Sequence, residues 1–169
     1  MCRLTLLGRP ATSAATVAEL GVDISGASGV DPTTSELRER FAVRYAELRA
    51  KKGVTLEQAR ERVADVSYFG TMMVYKGLAD GMVSGSVTTT AQTIRPAFEF
   101  VKTKPGVSVV SSIFIMCLHS KVLAFGHFAV VPNPDAPALD ARALRSAEPR
   151  RMSRPAPRVA WLLFPSAAA

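Results

Sequence analysis

Helical segments that end at glycines alternate with short apolar runs in this sequence, and this alternation restricts the fold more than any other feature. Residues 3–8 (RLTLLG) predict a short strand, and residues 12–20 predict a helix that ends at Gly21. The turn residues between Gly21 and Pro32 predict a loop. Strands that alternate with helices are typical of α/β proteins, so the sequence predicts that class.

Three further helices are predicted in the stretch that follows. The first covers residues 34 to about 52, where apolar side chains recur at helical spacing at Leu37, Phe41, Tyr45 and Leu48. Thr55 and Gln58 have the spacing of a capping box, which predicts a second helix that continues to about residue 63. Residues 67–76 (SYFGTMMVYK) predict the third, which a glycine at position 77 ends.

Beyond residue 80 the pattern becomes richer in β-forming residues. Residues 81–87 (GMVSGSV) predict a short strand, and residues 90–101 (TAQTIRPAFEFV) predict a helix. Pro96 either falls in the first turns of that helix or kinks it. Residues 107–118 and 122–131 are two β-rich runs, which predict antiparallel strands joined by a short polar turn.

The charge balance is basic and uneven. The net charge is +7, and the last fifth of the chain contributes more than half of it, because residues 136–169 hold six arginines against Asp140 and Glu148. A basic excess favours anionic partners, whether a phosphorylated small molecule or a nucleic acid, and a solvated arginine-rich tail explains it equally well. No nucleic-acid partner is expected, because the other basic residues are interspersed with acids and lack interleaved aromatic residues.

Hydropathy and cysteine usage predict a cytoplasmic protein without a membrane partner. No apolar run approaches the ~18 residues that a membrane helix needs, and the first ten residues are too short for a signal peptide. Cys2 and Cys117 have neither metal-ligand spacing nor a disulfide framework, so no metal site is expected. Cys117 lies in the apolar run IFIMCL and is predicted to be a small buried residue.

Residues 80–96 (DGMVSGSVTTTAQTIRP) carry the densest signal for a binding site. The predicted strand ends at residues 84–86, and the hydroxyls of residues 88–90 lead into a helix, whose first turn favours an anion. Arg95 follows about a turn and a half later; directed toward those hydroxyls, it would supply a bidentate cation for a phosphate. Ordinary helix capping and a solvated arginine explain the same residues, so the pattern alone leaves both interpretations open.

The sequence resembles the phosphate acetyltransferase family along most of its length. The stretch ADGMVSGSVTTTAQTIRPA is similar to the family pattern ADG-hydrophobic-VSGA-x-HTTA-x-T-x-RPA, and KTKPG and AFGHFAVVPNP match further family blocks. Upstream, LTLLGRP and ELRERFAVRYAELRAKKGVTLEQAR are also similar to the family, so the resemblance covers residues 3–134.

The resemblance implies part of a two-domain α/β fold of the isocitrate/isopropylmalate dehydrogenase-like kind. Residues 3–134 would form a partial phosphate acetyl/butyryl transferase domain, and residues 135–169 a divergent tail whose prolines make it pack poorly. The implied reaction moves acetyl between coenzyme A and inorganic phosphate to give acetyl phosphate, with coenzyme A as co-substrate and no bound cofactor. The resemblance also implies a homodimer.

The family's phosphate-binding residues correspond here to Arg95, Ser84, Gly85, Thr89 and Thr90. An arginine that lies near coenzyme A in the family corresponds to Arg49.

Several positions depart from the family pattern. Thr88 stands where the family has His, and His127, Phe128 and Val131 stand where Asp, Cys and Asn are usual. The family's Ser-Arg pair and its general-base Asp belong to a segment with no match in this chain, so no catalytic residue is assigned and the chain alone is expected to be inactive. The alternative interpretation is a non-catalytic regulatory module that binds acyl-CoA or phosphate.

Overall fold

The computed structural model describes residues 2–103, 105, 110 and 112–127 of the chain. The chain divides into two compact units, Met1–Lys102 and Thr103–Ala169. The first unit contains β1 (Leu4–Leu7), α1 (Pro10–Leu20), β2 (Ala27–Val30), α2 (Leu37–Arg49), α3 (Leu56–Val63), α4 (Val66–Tyr75) and α5 (Thr90–Pro96), and the second contains β3 (Ser112–Cys117) and β4 (Val122–His127). The predicted α/β class is confirmed. The predicted boundary after residue 134 and the predicted poor packing of residues 136–169 lie outside the described residues.

The chain begins with a strand–helix–strand unit in which β1 pairs in parallel with β2, from Leu4 opposite Ala27 to Leu7 opposite Val30. The predicted first strand and helix are confirmed, although α1 begins earlier than predicted, with a proline in its first turn, where the missing N–H costs nothing. The prediction of a continuous loop after α1 is wrong at β2. The sequence ASGV is rich in small residues of low strand propensity, and its partner lies on the far side of α1, so no local pattern reveals it.

Helices α2, α3 and α4 form as their local signals predict. A short 3-10 turn, Ala50–Lys52, extends α2 to Gly53, which has φ +71°. The predicted capping box of α3 is confirmed, since Thr55 Oγ1 accepts from Gln58 N at 3.3 Å and Gln58 Oε1 accepts from Thr55 N at 3.2 Å. The side chain of Asp65 caps α4 by accepting from two backbone N–H groups of its first turn.

The core of the first unit lies where these three helices meet the segment that follows α5. Its buried hydrophobic residues are Phe41, Ala42, Tyr45, Ala59, Val63, Phe69, Met72, Met73 and Phe100. Phe41 and Phe69 pack edge to face with their ring centroids 4.9 Å apart, which joins α2 to α4. The site described below is supported by this core, because Phe100 belongs to the segment that continues from α5.

Two predictions between residues 81 and 101 need correction. The predicted strand at residues 81–87 is wrong: these residues form an irregular segment in which Val83 and Val87 are almost fully exposed. Gly85 has φ +122°, a conformation that interrupts an extended strand. The predicted helix splits at Pro96, after which Ala97–Val101 are π-helical. Pro96 has no N–H to donate to the preceding turn, so the helix changes type there rather than continuing.

The second unit contains an antiparallel hairpin in which β3 pairs with β4, from Ser112 opposite His127 to Cys117 opposite Val122. The predicted antiparallel pair and its short turn are confirmed, while the outer parts of both predicted runs lie outside the described residues. The predicted burial of Cys117 is wrong, because its side chain is exposed. An apolar run predicts a strand, but burial also needs a second layer, and the neighbouring Ile115 and Met116 are exposed as well.

The described residues give two negative findings that concern function. No group of three or more His, Cys, Asp or Glu side chains among them is placed to hold a metal ion. None of the helices in this described part of the chain combines the length and the apolar character that crossing a bilayer requires.

Candidate functional site

The loop before α5 is tied to the first turn of that helix by threonine hydroxyls. Thr89 is the N-cap, and it forms a capping box in which its Oγ1 accepts from Gln92 N at 3.2 Å and Gln92 Oε1 accepts from Thr89 N at 2.9 Å. Thr88 Oγ1 lies 2.9 Å from Thr93 Oγ1, which also donates to the Thr89 carbonyl at 3.2 Å. The position where the family has His therefore holds a threonine that helps to fix the helix start.

All five predicted phosphate-binding residues are exposed, and they lie in α5 or in the segment that precedes it. Ser84 and Gly85 are in the irregular loop, Thr89 is the cap, Thr90 is the first helical residue, and Arg95 is in the last turn. The loop approaches the helix, since a Cβ at Gly85 would lie 3.9 Å from the hydroxyl oxygen of Thr93 on α5. The structure thus brings the loop residues and the first turn of α5 together.

Arg95 is not joined to those hydroxyls. Its side chain is exposed and makes no hydrogen bond or ion pair with any residue that the structure describes. Six residues separate it from Thr89, or about 9 Å along a helix axis. The expected direction of Arg95 toward the hydroxyls is therefore not realised as a contact, and none of its five donors is used by a described residue.

Gly85 is expected to be sensitive to substitution because of its backbone. Its φ of +122° strains any residue with a Cβ, so Gly85→Ala should lower the free energy of unfolding by about 1–3 kcal/mol, measured by urea denaturation. Gly81→Ala is the matched control, because Gly81 has an ordinary φ and open space around the added Cβ. Equal stabilities for the two variants would contradict the prediction.

Arg49, the predicted residue on the coenzyme A side, lies against the same helical segment that carries Arg95. It is the last residue of α2, and its Nη1 donates to the carbonyl of Glu99 at 3.4 Å. Glu99 lies in the π-helical turn, four residues after Arg95. The Nε of Arg49 is buried and has no acceptor among the described residues. The structure therefore brings both predicted arginines to one segment of the chain.

A partly buried polar network that the sequence analysis did not predict contacts this segment. The hydroxyl of Tyr45 donates to Glu99 Oε2 at 2.5 Å and accepts from Arg62 Nη1 at 2.8 Å, while Arg62 and Glu99 form an ion pair at 3.6 Å. Tyr45 is fully buried and the Glu99 side chain is 15% exposed, whereas the Arg62 side chain is 45% exposed. The network therefore joins α2, α3 and the π-helical turn.

The two tyrosines beside Glu99 are held in their protonated form. Burial, followed by the hydrogen bond to Glu99, raises the pKa of Tyr45 above its usual value of 10.0. The pKa of Tyr68 is also raised above its usual value of 10.0, mainly by burial and next by the negative charge of Glu99. Tyr45 therefore keeps the proton that it donates to the carboxylate throughout the neutral pH range.

One sequence signal could have revealed this network. Glu99 is the only acid between Asp80 and Asp135, and it stands in the apolar run AFEFV. An isolated acid in the apolar part of a helix is seldom buried unless it has a partner, so its position predicts one. Tyr45 gives no such signal, because it is part of the regular apolar spacing of α2, and burial of one helix face is enough to explain that spacing.

A charged depression on the surface of α2 lies apart from the predicted residues. It is lined by Glu39, Arg40, Val43, Arg44, Glu47 and Lys76. Both of its acids are already paired, Glu39 with Arg60 and Glu47 with Arg44. It contains none of the residues that the sequence assigned to phosphate or coenzyme A.

Comparisons with known proteins match nearly the whole chain. The family model described as "Phosphate acetyl/butaryl transferase" matches residues 1–168, and so continues past residue 134. The phosphate acetyltransferase of Corynebacterium glutamicum is 48% identical over 164 residues, which are 97% of this chain and 50% of that protein. The phosphate acetyltransferase of Nitratidesulfovibrio vulgaris is 50% identical over 161 residues, which are 95% of this chain and 23% of that protein.

Solved structures of similar proteins agree with these matches. The EutD phosphotransacetylase from Staphylococcus aureus has a TM-score of 0.76 and 40% identity, and the alignment covers 89% of this chain and 45% of that one. A phosphotransacetylase from Streptococcus pyogenes has a TM-score of 0.74 and 35% identity, with coverage of 86% and 45%. The chain spans between about a quarter and a half of the length of these relatives.

Proposed function

The chain belongs to the phosphate acetyl/butaryl transferase family, and on that premise we propose that it acts as part of a phosphate acetyltransferase. In this reaction a phosphate oxygen attacks the thioester carbonyl of acetyl-CoA, a C–O bond forms and the C–S bond breaks. The thiol of coenzyme A leaves with the proton that phosphate gives up, so that acetyl-CoA and phosphate yield acetyl phosphate and coenzyme A. The family match over residues 1–168 is the observation that carries this proposal.

The phosphate side of the site comprises Arg95, Ser84, Gly85, Thr89 and Thr90. The exposure of all five residues supports this assignment, as does the guanidinium of Arg95, which pairs with no described residue. A planar guanidinium can donate two parallel hydrogen bonds to a phosphate, which fixes the orientation of the nucleophile. Phosphate bound in this way would present its remaining oxygens to the thioester.

The coenzyme A side comprises Arg49. Its contact with Glu99 supports the assignment, because it holds this second arginine beside the segment that carries Arg95. Its guanidinium carries further Nη donors that suit an anionic group of the co-substrate, whereas its Nε is buried and does not reach one. Coenzyme A carries several phosphate oxygens that are suited to such a donor.

The finer features of the assembly belong to the same proposal. The chain contributes to a two-domain fold of the isocitrate/isopropylmalate dehydrogenase-like kind, in a cytoplasmic homodimer that uses no bound cofactor and no nucleic-acid or membrane partner. The TM-scores to two phosphotransacetylases, each about half covered by this chain, support the first of these statements.

A chimera tests the proposed function directly. Residues 1–168 of this chain would replace the matching half of the Corynebacterium glutamicum enzyme, and thiol release from acetyl-CoA would be measured with and without phosphate. We expect phosphate-dependent release and acetyl phosphate as product from the chimera, and neither from the 169-residue chain alone, because no general base is assigned in it.

The chimera also separates the two candidate functions. A folded chimera that binds acetyl-CoA and phosphate without converting them would contradict the enzymatic proposal and favour the regulatory module. The unmodified Corynebacterium glutamicum enzyme serves as the active control.

A further inference from the structure

We propose that Tyr45, Arg62 and Glu99 form a positioning network that fixes the orientation of α5 and so of Arg95. This inference rests on the proposed function, in which Arg95 binds phosphate. None of the three residues is assigned to contact a substrate.

The network binds Glu99, in the π-helical turn that continues directly from α5. The Glu99 carboxylate is bound by the Tyr45 hydroxyl and paired with Arg62, and the Glu99 carbonyl accepts from Arg49. Side chains from α2 and α3 therefore hold both the side chain and the backbone of one residue in the π-helical turn. Arg95 lies four residues earlier, about one helical turn away.

Helix α5 is otherwise held by its contacts with α4 and by the segment that follows it. It is seven residues long, too short to be stable by itself, and Pro96 is its only residue with a buried side chain. The following turn ends at Lys102, which has φ +63°. Phe100 anchors that turn by packing edge to face on Tyr45 and Tyr75, each at 5.8 Å between ring centroids.

Apolar packing and hydrogen bonds have different effects on the position of the π-helical turn. Packing of Phe100 on Tyr45 and Tyr75 keeps the turn against the core, and most of its stabilisation comes from the hydrophobic effect, which has no direction. The hydrogen bonds to Glu99 are directional and involve a charged group, so they select one rotation of the turn about its axis. Because α5 continues from that turn, its rotation decides where the Arg95 guanidinium lies.

Tyr45→Phe tests this inference in the complete 169-residue chain, because it removes the hydroxyl and keeps the ring. We expect amide hydrogen exchange in residues 90–101 to become about tenfold faster, while helices α2 to α4 change little, since a partly buried hydrogen bond to a charged group is lost. The affinity for inorganic phosphate, measured by calorimetry, should fall by a similar factor. Glu99→Gln should act in the same direction, and the double variant should be no worse than the stronger single variant.

Two control variants make the outcomes distinct. Val63→Ala shortens a fully buried side chain that has no polar group, so it should lower overall stability and leave the phosphate affinity unchanged. Arg95→Gln should remove phosphate binding. Exchange rates in residues 90–101 that do not change in Tyr45→Phe would overturn the positioning role, and so would a phosphate affinity that falls equally in Val63→Ala.

The proposed phosphate site can be disproved independently of the positioning network. Phosphate binding that is absent in the unmodified chain, or that survives Arg95→Gln, would overturn that site. In either case the exchange measurement still decides whether the network holds α5.

Discussion

Arg95→Gln is expected to lower kcat/KM for phosphate by roughly 100-fold in the chimera described above, a loss of about 2.7 kcal/mol of transition-state stabilisation. The guanidinium would form charge-assisted hydrogen bonds to phosphate, each worth about 1.5–3 kcal/mol, and glutamine supplies neither the charge nor the fork of donors. The rate of acetyl phosphate formation over a range of phosphate concentrations gives the measurement.

Two further variants define what Arg95 contributes. Arg95→Lys should give an intermediate rate, because lysine keeps the charge but lacks the planar pair of donors. Arg40→Gln makes the same change in charge on the exposed surface of α2 and should leave the rate nearly unaltered. If Arg95→Gln and Arg40→Gln had similar rates, Arg95 would not be a phosphate-binding residue.

Phe69→Ala is expected to lower the free energy of unfolding by about 3–5 kcal/mol. Phe69 is fully buried and packs edge to face on Phe41, so the substitution loses both apolar burial and a specific ring contact. Domains of this size are usually stable by only about 5–15 kcal/mol, so a large fraction of the variant should be unfolded at moderate temperature. Thermal and urea unfolding of the 169-residue chain followed by circular dichroism measure the loss.

The matched control for that substitution is Phe98→Ala. Phe98 is 45% exposed, so the same atoms are removed from a site that is already partly hydrated, and the cost should be about 1 kcal/mol or less. Similar losses in the two variants would mean that Phe69 is not part of a close-packed core.

The parts of the fold that were predictable from the sequence depend on short-range signals. The capping box at Thr55, the glycine after α1 and the helical spacing of α2 all act within a few residues, and the corresponding helices are confirmed. Strand β2 was missed because its stability comes from a partner on the other side of a helix. The strand predicted at residues 81–87 was wrong for the converse reason: its local pattern is suitable, but no described strand pairs with it.

The local structure around the candidate residues was predictable to a similar extent. The start of α5 follows from its threonines, and the five residues assigned to phosphate lie in this helix or in the segment before it. The support beneath the site was not predictable, because Tyr45 and Glu99 are 54 residues apart and no spacing rule connects them. Whether the assigned residues bind phosphate stays a prediction until the Arg95 variants are measured.

The arrangement of the core also bears on the order in which the chain acquires its structure. Helices α2, α3 and α4 follow one another closely and contact one another, so their association closes only short loops. Contacts of this kind form quickly, whereas the Tyr45–Glu99 bond must wait for a segment that lies 54 residues further along the chain. During synthesis, the three helices can therefore assemble as a nucleus before the residues of α5 leave the ribosome, and the segment that carries Arg95 is added to a surface that already exists.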